Sequence, residues 1–172
     1  MTRIRESLNR IRVIIADDHP AIAAGLAATL RHYITIEVVG RAQSFAEVLH
    51  VLAATPADVL ILDLLGMQGS PLQIIPHILA DYPSLAIVVY SSSVALAPEL
   101  LHAGVLGYVV KDELLDHLVR AIDAVVQRKP YVSPSVQAYL DRTANIQQTV
   151  PLSPKEQLAL KLLTQGFNTA EI

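Results

Sequence analysis

The residues with the clearest capacity for chemistry stand directly after short apolar runs. The run Val59–Leu62 ends at the carboxylate of Asp63, and other apolar runs end in the same way at acidic, hydroxyl or basic side chains. Because ligand sites of open parallel sheets lie beyond the carboxyl ends of the strands, these side chains are predicted to share one edge. The set that shares this edge is Asp17, Asp18, Asp63, Ser91 and Lys111.

Three carboxylates brought together by folding repel one another, so their ionised forms need a cation nearby. Mg2+ prefers oxygen ligands and keeps several waters, which suits two or three carboxylates and a backbone carbonyl. With the ammonium of Lys111 and the hydroxyl of Ser91, such an ion would neutralise and orient a phosphoryl group. Asp63 is then the available nucleophile, which would form an aspartyl phosphate.

Five short apolar strands, alternating with five helices, position these residues. The strands are apolar on both faces, which predicts an α/β fold with a doubly wound parallel sheet and helices on both sides. Ser44 is predicted to cap the second helix and Asp112 the last one, while Pro76 predicts an irregular third helix. The strands are predicted over residues 12–16, 34–39, 59–62, 85–90 and 107–110.

Composition excludes several classes of protein. The net charge of −3 argues against a polybasic nucleic-acid or membrane-surface protein. The absence of cysteine excludes thiol chemistry and a disulfide framework. No apolar run reaches the roughly 20 residues that span a bilayer, so the expectation is a cytoplasmic protein without membrane contact. The six histidines have no metal-ligand spacing and are predicted to be surface or loop residues.

The order of these residues resembles the receiver domains of two-component response regulators, over about residues 13–128 of the predicted domain 11–128. The resemblance implies sheet order 2-1-3-4-5 and a phosphoryl group supplied by a histidine kinase or a small phosphodonor. It also implies roles for individual residues. These are Asp63 as phospho-acceptor, Asp17, Asp18, Asp63 and the Leu65 backbone carbonyl as Mg2+ ligands, Ser91 as switch hydroxyl, Lys111 as phosphate partner, and Tyr108 as switch aromatic.

The loop after the acceptor departs from the family pattern. Receivers commonly read D-x-x-M-P-x-x-x-G here, whereas this chain reads D-L-L-G-M-Q-G-S-P from Asp63 to Pro71. The usual proline is missing and the glycine is displaced. The hypothesis is an altered loop geometry with slower or kinase-independent phosphorylation.

The composition changes after the receiver-like segment. Residues 129–150 are rich in Pro, Ser, Gln and Thr and are predicted to be a linker, with a helix over 135–142. Ser153-Pro154-Lys155-Glu156 is a capping box that opens another helix. Residues 151–172 resemble the start of a LuxR-type helix-turn-helix domain, an all-α segment that stops before the recognition helix.

With the receiver, that segment suggests the NarL/FixJ-like class of DNA-binding regulators. DNA is then the partner of a complete protein, but specific DNA binding is not expected for this chain. A short helical hairpin that packs on the receiver is an equally weighted reading of the last 20 or so residues.

The leading functional hypothesis is a phosphorylation-dependent, non-enzymatic response regulator that forms a homodimer and controls transcription. One alternative is a stand-alone or degenerate receiver that acts through protein contacts. Another is a Mg2+-dependent aspartyl phosphatase, which is disfavoured because Asp63-Leu64-Leu65 lacks the second acid of a D-x-D motif. A flavin-binding module is also disfavoured, because no Ser/Thr/Gly-rich phosphate loop follows the first strand.

Overall fold

The structure is a computed structural model that describes residues 10–149. Six strands form one sheet: β1 (Ile11–Ala16), β2 (Ile36–Ala42), β3 (Val59–Leu62), β4 (Ala86–Ser91), β5 (Gly107–Val110) and β6 (Tyr131–Val132). Residues 10–149 also form six helices: α1 (Pro20–Leu30), α2 (Phe45–Ala54), α3 (Pro71–Asp81), α4 (Ala97–His102), α5 (Leu115–Val126) and α6 (Pro134–Thr149). Strands and helices alternate along the chain, as the sequence predicts.

Every strand pair in the sheet is parallel, and the strand order is β2-β1-β3-β4-β5-β6. The predicted α/β class with a parallel sheet is confirmed. Strand β3 lies in the middle and all four of its residues are buried, which explains its unbroken apolar sequence. No helix among residues 10–149 is both long enough and apolar enough to cross a bilayer.

The sheet has one strand more than the five-stranded sheet predicted from the sequence. Strand β6 pairs with β5, with Gly107 opposite Tyr131 and Tyr108 opposite Val132. The stretch expected to be a linker, residues 129–150, contains the edge strand β6 and all 16 residues of α6. A strand of two residues carries no readable alternation, and Pro130 and Pro134 on either side of it favoured a linker.

The predictions about helix ends and about Pro76 can be compared with the helices of the structure. The Ser44 side chain accepts a hydrogen bond from the Glu47 backbone N–H, which confirms it as the cap of α2. Asp112 was predicted to cap α5, but this prediction is wrong because Leu114 is the N-cap and the helix begins at Leu115. Pro76 lies inside α3 without ending it. Pro76 is exposed, so water can satisfy the carbonyl that its missing N–H leaves without a partner.

The described residues fall into two units, one that ends at Gln137 and one that begins at Ala138 within α6. In the second unit, the Thr143 hydroxyl donates to the Tyr139 carbonyl, one turn back along the same helix. Residues 151–172, the segment that resembles a helix-turn-helix domain, lie outside the described residues.

Glu113 attaches the start of α6 to the loop after β5. Its carboxylate accepts a hydrogen bond of 2.8 Å from the Ser135 backbone N–H. Burial acts to raise the pKa of Glu113, but hydrogen bonds from Ser133 and Ser135 outweigh it and hold that pKa below its ordinary value. The carboxylate form therefore stabilises this connection.

We predict that Glu113→Gln removes a pH-dependent part of the stability. Because the folded-state pKa is lowered, the contribution of Glu113 is present above its unfolded pKa of about 4.3 and is lost as pH falls through the folded value. Urea unfolding followed by circular dichroism should show a wild-type advantage at pH 7 that shrinks below about pH 4. Glu99→Gln removes an exposed carboxylate on α4 and is the matched control. An advantage that stays constant with pH would contradict the prediction.

Candidate functional site

Backbone hydrogen bonds hold the predicted site residues at one edge of the sheet. The Asp63 N–H donates to the Ala16 carbonyl at 2.8 Å, which places Asp63 beside the end of β1. The Lys111 N–H donates to the Ser91 carbonyl at 3.0 Å, which places Lys111 beside the end of β4. The strand ends thus come together as the parallel sheet requires.

Lys111 joins two of the acids directly. Its ammonium donates hydrogen bonds of 2.7 Å to Oδ2 of Asp17 and 2.7 Å to Oδ2 of Asp63. Both carboxylate side chains are only 4% exposed, and the lysine side chain is 13% exposed. Burial alone would lower the pKa of Lys111, but the hydrogen bonds and charges of the two carboxylates outweigh it and raise that pKa. Lys111 is therefore a fixed positive charge at the site.

The other oxygens of these acids are held by backbone groups. Oδ1 of Asp17 accepts from the His19 N–H at 2.8 Å. Oδ1 of Asp63 accepts from the Leu64 N–H at 2.7 Å and from the Leu65 N–H at 3.4 Å. Each carboxylate is thereby oriented from two sides, and this orders the donor atoms before any ligand arrives.

His19 belongs to this group, and sequence reasoning missed it. Its ring Nδ1 lies 2.8 Å from Oδ1 of Asp18, although the side chain is 62% exposed, as a surface histidine was expected to be. Spacing rules for metal ligands did not find it because its partners come from a different strand end as well as from its own loop. Its position directly after two acids at a strand end was the available signal.

Ser91 and Tyr108 lie deeper in the sheet. Both are fully buried. The Tyr108 hydroxyl donates to the Ser93 carbonyl at 2.7 Å, which ties β5 to the segment after β4. Within the described part of the chain, the Ser91 hydroxyl has no hydrogen-bond partner. A buried hydroxyl in that state can donate to an oxygen of an incoming ligand at little cost.

Tyr90 adds an aromatic wall to the site. The Lys111 ammonium lies 6.0 Å from the centre of the Tyr90 ring. Burial is the main cause that raises the pKa of Tyr90, with the Lys111 charge opposing it. The ring is therefore neutral in the physiological range and supplies a polarisable face to the ammonium.

The atypical loop after Asp63 packs closely against the second acid. Gly66 has φ of +75°, and a Cβ atom at this position would overlap the Asp18 carboxylate. Met67 is buried, and its carbonyl accepts a hydrogen bond of 3.3 Å from the Phe45 N–H. The displaced glycine thus allows the backbone to approach Asp18 without the usual proline. The Leu65 side chain is 53% exposed, and the role of its carbonyl as a Mg2+ ligand stays a prediction.

The donor set fits a divalent cation. Asp17, Asp18, His19 and Asp63 each offer one ligand atom, and these atoms lie within 4.8 Å of one another. Three carboxylates also carry more negative charge than the Lys111 ammonium neutralises. Oxygen donors in this arrangement suit a hard ion such as Mg2+, whose remaining positions would be filled by water.

A parallel α/β sheet with acids, a hydroxyl and a lysine at its carboxyl edge defines the class of protein, and comparison with known proteins identifies the family. The family described as "Response regulator receiver domain" matches residues 13–123. The chain belongs to this family.

Several relatives are similar to the chain over nearly its whole length. Transcriptional regulatory protein RcsB of Escherichia coli (strain K12) is 31% identical over 171 residues, which cover 96% of this chain and 79% of that protein. Transcriptional regulatory protein MctR of Rhizobium johnstonii is 29% identical over 166 residues, covering 95% and 77%. These relatives confirm the resemblance to transcriptional response regulators.

Solved structures of RcsB are also similar to this chain. The isolated receiver domain of RcsB from Salmonella enterica serovar Typhimurium, determined with the phosphomimetic BeF3−, is 30% identical and has a TM-score of 0.68. It covers 76% of this chain and 98% of that one. The two-component response regulator RcsB–DNA complex gives a TM-score of 0.73 at 31% identity, over 95% and 81%.

We predict that Gly66→Ala lowers the free energy of unfolding by about 1–3 kcal/mol, because alanine is strained at positive φ and meets the Asp18 carboxylate. Gly25→Ala is the matched control, since Gly25 lies in α1 with open space around it. That change should raise stability by about 0.5–1 kcal/mol. Urea unfolding of both variants measures the difference. Equal stability of the two variants would show that the loop does not need glycine against Asp18.

Proposed function

We propose that the chain is a phosphorylation-dependent response regulator in which Asp63 accepts a phosphoryl group. The observation that carries the proposal is the Lys111 ammonium, which is hydrogen-bonded to Asp63 and Asp17 at 2.7 Å each. A cation fixed beside a carboxylate nucleophile can stabilise the negative charge of a phosphoryl group that becomes bonded to that carboxylate. The membership of the receiver family supports the same reaction.

The transfer is a substitution at phosphorus. An oxygen of the Asp63 carboxylate forms the new bond to phosphorus as the bond to the donor breaks. The donor is the phosphohistidine of a kinase or a small acyl phosphate, and its leaving nitrogen or oxygen keeps the electron pair. Catalysis of such a transfer needs alignment and charge neutralisation more than covalent help from the protein.

Asp17, Asp18 and Asp63 are the residues that would hold Mg2+. When bound, the ion supplies positive charge that offsets the developing charge on the phosphoryl oxygens. The protein contributes the fixed orientation of the acids. Asp17 is held by the His19 N–H and Asp63 by the Leu64 N–H, so neither carboxylate has to be ordered during the reaction.

In this proposal, Ser91 is the residue that responds to the phosphoryl group on Asp63. Its buried hydroxyl would donate to a phosphoryl oxygen on Asp63 and pull the end of β4 toward the site. Tyr108 is attached to the segment after β4 through the Ser93 carbonyl, so a shift of that segment changes the contacts of Tyr108. This is the coupling that the roles of switch hydroxyl and switch aromatic require.

Strand β6 and Ser133 connect β5, which contains Tyr108, to the start of α6. The Ser133 N–H donates to the Tyr108 carbonyl at 2.9 Å, and the Ser133 hydroxyl accepts from the Val110 N–H at 3.3 Å. Ser133 directly precedes α6. A movement of β5 would therefore shift Ser133 and with it the first residue of α6.

We propose transcriptional control as the output, with DNA as the partner of the complete protein and a homodimer as the active form. The support is that RcsB, to which this chain is similar, is named a transcriptional regulatory protein. A solved structure of that relative is described as two RcsB dimers bound to two parallel DNAs. Residues 151–172 would be the start of the DNA-binding part.

We predict that acetyl phosphate with Mg2+ adds one phosphoryl group to the chain and that Asp63→Asn abolishes the addition. Lys111→Ala should slow it by about 100-fold, because it removes a donor that stabilises the transferred charge. Intact-protein mass spectrometry over time measures both effects. Asp123→Asn, an exposed acid on α5, is the control and should react like the wild type. Phosphorylation of the Asp63→Asn variant to the wild-type level would refute Asp63 as the acceptor.

We predict further that BeF3− with Mg2+ shifts the chain from monomer toward dimer, because a phosphoryl mimic on Asp63 favours the switched conformation. Light scattering coupled to size exclusion measures the mass at several protein concentrations. Asp63→Asn should show no shift with the same additives. An unchanged wild-type mass with bound BeF3− would contradict dimerisation as the output of the switch.

A further inference from the structure

His19 lies in the cation site although the acids alone account for a magnesium-binding receiver. Its Nδ1 is 2.8 Å from Oδ1 of Asp18 and 3.6 Å from Oδ1 of Asp17. One ring nitrogen and one oxygen from each of the three acids lie within 4.8 Å of one another. The site is thus a mixed nitrogen and oxygen donor set.

The backbone of His19 is fixed while its ring can turn. Its N–H donates to Oδ1 of Asp17, and its carbonyl accepts from the Ile22 and Ala23 N–H groups at 3.0 and 3.1 Å. It is the N-cap of α1, and Pro20 follows it. The side chain is 62% exposed, so the ring can rotate toward a cation without displacing a packed neighbour. The histidine is therefore held at the site by its main chain.

His19 and Lys111 contact different oxygens of Asp17. Lys111 holds Oδ2, whereas the His19 ring lies nearer to Oδ1. The lysine therefore occupies one side of that carboxylate and the imidazole the other. A ligand role for the imidazole does not compete with the lysine for the same oxygen.

The chemistry of the donors sets the preference among ions. Mg2+ favours oxygen ligands and gains little from an imidazole. Mn2+, Co2+ and Zn2+ bind neutral imidazole nitrogen well, with affinities for mixed sites that rise along that part of the transition series. A nitrogen donor beside three carboxylates therefore shifts the selectivity of the site toward transition ions.

We propose that His19 is a nitrogen ligand of the cation site and that it gives the site a preference for transition ions such as Mn2+ over Mg2+. The inference rests on the same cation site as the proposed function and extends it to the choice of ion. The competing explanation is that His19 only orients Asp18 through their 2.8 Å contact. The two explanations differ in how the affinities for the two ions change when the nitrogen is removed.

The test is a pair of calorimetric titrations, with Mn2+ and with Mg2+, on the full chain without any phosphodonor. His19→Asn replaces the nitrogen donor by an amide. The His19 side chain makes no capping hydrogen bond to α1, and asparagine is a residue type that is favoured at a helix N-cap. It should weaken Mn2+ binding by about 10-fold or more and change Mg2+ binding by less than about 2-fold. His32→Asn, an exposed histidine just beyond the other end of α1, is the matched control and should change neither affinity.

Pulsed electron paramagnetic resonance supplies a second readout. The spin-echo modulation of bound Mn2+ should contain the coupling of an imidazole nitrogen in the wild type and in His32→Asn, and should lose it in His19→Asn. Circular dichroism and thermal unfolding of the apo variants check that each one is folded.

Two outcomes would overturn the inference in distinguishable ways. Equal loss of Mn2+ and Mg2+ affinity in His19→Asn, with no nitrogen coupling in the wild type, would make His19 a positioning residue for Asp18 and leave the proposed function intact. A wild-type chain that binds neither ion would remove the cation site itself, and with it the Mg2+-dependent acceptor chemistry.

Discussion

The ion pair between Lys111 and the two buried acids is the interaction on which the site depends. Asp17 and Asp63 come from different strands and would repel each other at 4% exposure if no cation lay between them. The ammonium offsets that repulsion with two hydrogen bonds of 2.7 Å. The Lys111 ammonium offsets only one of the three carboxylate charges of Asp17, Asp18 and Asp63, so two negative charges remain. This remaining negative charge favours the binding of a cation at the site.

The parallel sheet is what brings these charges together. Strand β3 lies between β1 and β4, so the residue after β3 must lie next to the residues after β1. The apolar strands exclude water beneath the site, and this strengthens each electrostatic contact above it. Strand β6 extends the arrangement, because it pairs with β5 and Ser133, the residue between β6 and α6, donates to the Tyr108 carbonyl of β5. Lys111 directly follows β5.

Much of this could be predicted from the sequence because it depends on strong local patterns. Unbroken apolar strands that end in Asp63 and Lys111 predict both the sheet and the edge at which its site lies. Strand β6 could not be predicted, since two residues show no periodicity and their pairing depends on β5. His19 was missed because spacing rules search for metal ligands along the chain, whereas the group that contains His19 also includes Asp63 from a different strand end. Asp112 was assigned to a helix that begins later, because a cap-type residue does not by itself fix the first helical turn.

A crystal structure of the chain with Mg2+ and BeF3− would show whether Asp63 is the phosphoryl acceptor. We expect beryllium bonded to an oxygen of Asp63, with the Lys111 ammonium within hydrogen-bond distance of a fluoride and the Ser91 hydroxyl donating to another. The acids at residues 17 and 18 would face the cation. Beryllium bonded to a different carboxylate, or a Lys111 side chain turned away from the fluorides, would contradict it.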